Sequence, residues 1–180
     1  MKALLLIDVQ KGFDDAHWGI RNNFFAEKNI ELLLKIWRKQ KWPVFHIQHL
    51  SLEPESSLRA GTPGVEFRDF ISVLESETII QKHVNSAFIG TTLEEQLRRQ
   101  SCSSLVLVGL TTDHCVSTTS RMAANLGFEV TVVADATATF QKEFRGRIFL
   151  ADELHDSALA SLNKEFAKIV NTCDFFKVPS

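Results

Sequence analysis

LVLVGLTTDHCVSTTSRMAANLGFEVTVVA, residues 105–134, carries one complete structural unit. Leu105–Val108 is a continuous apolar run of strand length, and Val130–Ala134 is a second. Between them, Thr111–His114 form a polar turn, and Cys115–Leu126 follow a helical pattern. Gly127 stands where a helix closes in a left-handed residue before the next strand. Strands without polar alternation are buried on both faces, and a helix crossover makes them parallel.

The same alternation runs outward in both directions. Ala3–Ile7, Val44–Ile47, Thr78–Ile80 and Ile169–Val170 read as further short strands. Phe24–Lys41, Thr92–Gln100 and Ala151–Ala167 read as helices, the first with Ile30, Leu33, Leu34 and Trp37 on one face and Asn22 or Asn23 as its cap. The pattern predicts an α/β protein, a three-layer α/β/α sandwich around a mainly parallel, Rossmann-like sheet. Two stretches, Asp14–Asn22 and Leu50–Gly64, read as loops over the sheet edge where specificity would be set. No composition shift, repeat or low-complexity tract divides residues 1–180, so one domain is expected.

Composition narrows the partners. A net charge of −2 offers no basic field for nucleic acid and no polybasic membrane anchor, which leaves a small-molecule substrate as the expected partner. No apolar stretch approaches the roughly 20 residues that span a bilayer, and Asp8 interrupts the first apolar run before it resembles a signal peptide. Cys102, Cys115 and Cys173 are odd in number and lack CxxC spacing, which points to free thiols and a cytoplasmic location.

Ligands of such sheets bind outside the carboxyl ends of the strands. Asp8 closes the first strand, Gln48 and His49 follow the second, Lys82 follows the third, and Cys115 follows the fourth. Taken singly, Asp8 reads as a loop-capping carboxylate and Lys82 as a surface lysine; their shared edge changes the odds. A thiol at a helix start meets unpaired N–H groups and the positive end of the macrodipole, so Cys115 is expected to favour thiolate. Cys102 and Cys173 read as ordinary apolar thiols. His114 is adjacent to the thiol, but neighbours at a helix start point apart, which makes Asp8 the stronger base and His114 a pocket residue.

LLLIDVQKGF (4–13), QKHVNSAFIGT (81–91) and LVGLTTDHCVSTTSRMAANLGFEVTVVADATATF (107–140) together resemble the isochorismatase-like cysteine hydrolase superfamily, the relatives of nicotinamidases, N-carbamoylsarcosine amidase and streptothricin hydrolase. The resemblance implies an Asp8–Lys82–Cys115 triad and a cis peptide between Leu110 and Thr111. It implies an oxyanion hole from the N–H groups of Thr111 and Cys115, and a pocket that includes Phe13, Asn85 and Phe88. It further implies a homo-oligomer, a dimer or larger.

Two departures narrow what is implied. Nicotinamidases hold a divalent metal with Asp-x-His and a further His after the second strand, where this chain has Gln48-His49-Leu50-Ser51. His46 and His49 lie three apart on a strand and face opposite ways, a poor chelating pair, so no metal and no cofactor is expected. The isochorismatases that cleave a vinyl ether lack the nucleophilic cysteine that Cys115 supplies here. Cleavage of an amide or ureido C–N bond through a thioester is therefore the expected reaction. Ether or ester hydrolysis with Asp8 as acid, and a non-catalytic binding protein, are the alternatives.

Overall fold

In the computed structural model, which describes residues 1–176, six parallel strands form one sheet in the order β3-β2-β1-β4-β5-β8. They are β1 (Lys2–Ile7), β2 (Val44–His49), β3 (Thr78–Lys82), β4 (Ser104–Leu110), β5 (Glu129–Ala138) and β8 (Lys168–Val170). A separate antiparallel hairpin joins β6 (Lys142–Phe144) to β7 (Arg147–Phe149). The helices are α1 (Ala26–Gln40), α2 (Leu93–Arg99), α3 (Ser117–Asn125) and α4 (Ala151–Leu162).

Strand alternation divides the core in two. Leu4 and Leu6 of β1 pack with Ile30, Leu33, Leu34 and Trp37 of α1 on one face. Ala3, Leu5 and Ile7 pack with Leu93 and Leu97 of α2, Ala123 of α3 and Leu159 and Leu162 of α4 on the other. Every residue from Ala3 to Ile7 is at most 1% exposed, which is why β1 lacks a polar face. The chain reverses direction across the sheet between β1 and β4, the switch point where such folds bind ligands.

Gly109 sets the approach of those two strands. Its φ is +117°, and an added Cβ would stand 2.0 Å from the Ile7 carbonyl oxygen. Only glycine fits there.

Several local expectations are corrected. Neither Asn22 nor Asn23 caps α1. Asn22 Oδ1 accepts from Thr139 N at 2.8 Å, and Asn23 Nδ2 donates to the carbonyls of Ala134 and Thr137, so both tie the helix entry to β5. The last helix stops at Leu162 rather than Ala167, because Asn163 to Ala167 turn back on themselves, with Lys164 N bonded to Ala167 O. The hairpin β6–β7 was not expected. Cys115 does not open α3 either. It lies in a turn of π-helix, Thr112–Val116, that precedes it.

Candidate active site

Four strand ends converge at the switch point. Asp8 follows β1 with φ +50°, a left-handed conformation that Asp tolerates better than most residues. Its amide donates to the Ile47 carbonyl at 3.0 Å, which anchors the turn to β2. His49 and Lys82 close β2 and β3 as register partners, side by side on the same edge. Cys115 enters from the turn after β4. That turn is braced by Thr112 Oγ1 against His155 Nδ1 of α4 at 2.8 Å, and by Ser120 Oγ on the Val116 carbonyl at 2.7 Å. The Leu110–Thr111 peptide is cis, as the resemblance implies.

Lys82 is the hub. Its Nζ lies 2.8 Å from Asp8 Oδ2, 2.9 Å from His49 Nδ1, 3.2 Å from the Val84 carbonyl and 3.3 Å from Cys115 Sγ. Asp8 is fully buried and Lys82 nearly so, an arrangement tolerated only because each charge has the other. Asp8 Oδ1 has no hydrogen-bond partner among the described residues. A buried carboxylate oxygen left open beside a thiol is a free acceptor for a proton.

Burial and the negative charge of Asp8 push the Cys115 thiol well above its ordinary value, more than the Lys82 ammonium lowers it. This corrects the expectation of a thiolate. The turn lies against a carboxylate and away from water, and those effects outweigh Lys82. Both effects favour S–H over thiolate.

Among the described residues, Asp8, His49 and Cys115 bring ligand-type atoms within 4.8 Å of one another. The Lys82 ammonium contacts all three and fills the position with a fixed cation, so the set does not fit a metal. The other residues in the nicotinamidase metal segment are otherwise engaged. Gln48 Nε2 donates to the Val65 carbonyl while its Oε1 accepts from Gln81, and Ser51 Oγ accepts from Glu53 N.

A cavity of about 130 Å³ opens over Asp8, His49 and Cys115. Phe13, Asn85, Thr111 and His114 line it, together with Trp18, Ser56 and Leu58. The last three come from the two loops expected to set specificity. Phe13 lies 5.0 Å from Trp18 and 6.0 Å from Phe140 between ring centroids, so the wall is a packed aromatic group. Phe88 is placed elsewhere, its ring stacked on Phe128 at 6.0 Å and packed on the α2–α3 side of the core, outside this cavity. His114 turns away from the thiol partners, with Nε2 3.2 Å from Lys142 Nζ. Asp113 pairs with Lys142 and accepts from Thr139 Oγ1, which fastens the hairpin to the turn.

His49 and Trp18 escaped the sequence reading. The sequence weighs His49 only as a chelator, although its place at the end of the strand beside the one carrying Lys82 is a usable signal. Trp18 sits in a loop without periodicity and gave none.

An isochorismatase domain model matches residues 2–174. The chain belongs to the isochorismatase family. It is 45% identical to the isochorismatase family protein YrdC of Bacillus subtilis (strain 168), over 95% of this chain and 92% of that protein. It is 29% identical to nicotinamidase 3 of Arabidopsis thaliana, over 96% of this chain and 85% of that protein. The crystal structure of an isochorismatase-family hydrolase from Chromobacterium violaceum ATCC 12472 superposes with a TM-score of 0.92 at 43% identity, covering 97% of this chain and 91% of that one. The fold is that of the isochorismatase-like hydrolases, and the protein is a hydrolase of this family.

Proposed function

We propose that the protein hydrolyses an amide or ureido C–N bond of a small molecule, with Cys115 as nucleophile, Asp8 as proton acceptor and Lys82 as their electrostatic anchor. One observation carries the reading: a buried ammonium touches both a thiol and a carboxylate whose second oxygen is open. The similarity to a nicotinamidase supports amide chemistry, while the engaged Gln48 and Ser51 argue against that protein's own substrate.

With S–H favoured over thiolate by burial and by Asp8, attack and proton transfer occur together. Asp8 Oδ1 takes the S–H proton as Sγ bonds to the carbonyl carbon, and the oxygen gains the negative charge. The N–H groups of Thr111 and Cys115 are assigned to that oxyanion. Collapse breaks C–N, and Asp8 returns the proton to the departing nitrogen, leaving a thioester. Asp8 then deprotonates water, which attacks the thioester carbon. The C–S bond breaks, and the proton on Asp8 goes back to sulfur.

The test is to mix the protein with a panel of small amides and ureides and to look for a mass increment on Cys115 after an acid quench. An acyl adduct on Cys115 is the expected result. Turnover without any adduct, retained by Cys115→Ala, would overturn Cys115 as nucleophile, and turnover of an ester or vinyl ether by that variant would transfer the reading to hydrolysis with Asp8 as acid.

We further propose a cytoplasmic location, supported by three free thiols. Separately, no helix among the described residues is long and apolar enough to cross a membrane. We also propose that the protein forms a dimer or larger assembly. The exposed Phe24 and Phe25, and Phe144 and Ile148 on the hairpin, supply apolar surface for that. Sedimentation measures it directly.

A further inference from the structure

Lys82 is a donor only, so where it meets His49 the ring nitrogen Nδ1 must accept. That contact leaves the imidazole with its proton on Nε2. The His49 backbone is held as well. Gln10 Oε1 accepts from the His49 amide at 2.8 Å, and Gln10 Nε2 donates to the His49 carbonyl at 2.9 Å and the Val65 carbonyl at 3.0 Å. Gln10 is itself fully buried, so this clamp is part of the packed frame. Burial and the Lys82 charge lower the affinity of His49 for a second proton, which agrees with the neutral ring that the geometry requires.

Among the described residues no hydrogen bond engages Nε2, and His49 lines the cavity beside Asp8 and Cys115. The charged and titratable groups facing it are Lys82, whose effect on the ring exceeds the opposite effect of Asp8, and His83, whose Nδ1 lies 2.8 Å from the Leu50 carbonyl. A neutral donor one side chain away from the thiol is thus left without a partner among the described residues. A simple carboxamide carries one carbonyl, which the oxyanion groups would occupy, and leaves that donor unmet.

We propose that His49 is a specificity-determining residue: fixed by Lys82 as the Nε2–H tautomer, it donates to a second acceptor on the substrate, so the site takes small amides with another carbonyl close to the scissile one. This deepens the amide-hydrolase reading and rests on it for the scissile bond. The tautomer and the binding preference can each be measured without the thiol.

Two measurements test it. Nitrogen-15 NMR of histidine-labelled protein should show His49 with Nδ1 bare and Nε2 protonated throughout the neutral pH range. A proton on Nδ1 would overturn the proposal. Calorimetry on Cys115→Ala should then compare malonamide, which has two carbonyls, with butyramide, which has one. Malonamide is expected to bind more tightly. The margin should shrink by about 2–10-fold, the worth of one hydrogen bond, when His49→Phe is added. His49→Gln, which keeps an N–H donor, should retain most of it. Equal binding of the two amides, or an unchanged margin in His49→Phe, would defeat the proposal. Loss of adduct formation at Cys115 with the margin intact would instead overturn the nucleophile assignment alone.

Discussion

Two carboxylates lie buried beside the same strand, and they are used in opposite ways. Glu77 meets His46 of β2 from one face, and Asp8 meets His49 through Lys82 at the end of that strand. Both oxygens of Glu77 are taken. Arg38 donates at 2.6 and 2.9 Å, His46 Nε2 lies at 2.8 Å, and Leu74 N donates at 3.1 Å. Burial alone would raise its pKa, yet these bonds outweigh burial and hold it below the usual glutamate value. Asp8 has one oxygen bound and one open, and a cavity stands in front of it. A saturated carboxylate holds structure together. One left half-saturated next to a thiol and a void can exchange protons.

The sharpest way to break this contrast is at the thiol. Cys115→Ala should lower turnover by on the order of 10³-fold or more, with a melting temperature close to that of the parent protein. A large fall in melting temperature would mean that the cluster at the strand ends is as structural as the one at Glu77.

Asp8→Asn separates two roles of one charge. Turnover should fall by roughly 10²–10⁴-fold, the usual worth of a general base. Alkylation of Cys115 by iodoacetamide at mildly alkaline pH should nevertheless become faster, because the Asp8 charge is one of the causes that raise its pKa. Slower alkylation would show that Asp8 helps ionise the resting thiol. Peptide mapping separates Cys115 from the exposed Cys173.

Glu77→Gln should leave turnover nearly unchanged and destabilise the fold by about 3 kcal/mol, because it uncouples Arg38 and His46 from a buried partner. Urea denaturation reads this. Equal losses of activity and stability would erase the distinction between the two sites.

The smallest effect is in the pH dependence of stability. His46, His49 and His155 are each held neutral chiefly by burial, with folded pKa values below the ordinary one. An unfolded histidine takes up its proton near pH 6.5. The unfolded chain therefore binds more protons as pH falls below that point, and stability declines there. Melting temperature should be level around pH 7–8 and fall below about pH 6.5, with a shallower slope in His46→Gln. A flat profile down to pH 5 would mean that these rings are protonated in the folded protein.

The layered sheet and the meeting of Asp8, Lys82 and Cys115 at one edge were legible because burial on both faces writes itself into uninterrupted apolar runs. Strand order then puts their ends together. What escaped depends on contacts distant in sequence. Asn22 and Asn23 look like helix caps by composition, yet their partners lie more than 100 positions away, on β5 and just after it. The protonated state of Cys115 follows from how deeply its turn is buried, which no local pattern encodes. His49 is paired with Lys82 by strand register, whereas a one-dimensional reading weighs it only against His46 on its own strand. The hairpin β6–β7 has a partly exposed apolar face, so the periodicity of a buried strand is missing.

Gly109 has a consequence for anyone who evolves this protein in the laboratory. The separation of β1 from β4, and with it the distance from Asp8 to Cys115, depends on one missing carbon atom. In a randomised library sorted only for soluble expression, position 109 should return glycine almost exclusively. Positions 49 and 115 should tolerate replacement in that sort and become constrained once activity is selected. Comparing the two sorted pools would separate, codon by codon, what the scaffold requires from what the chemistry requires.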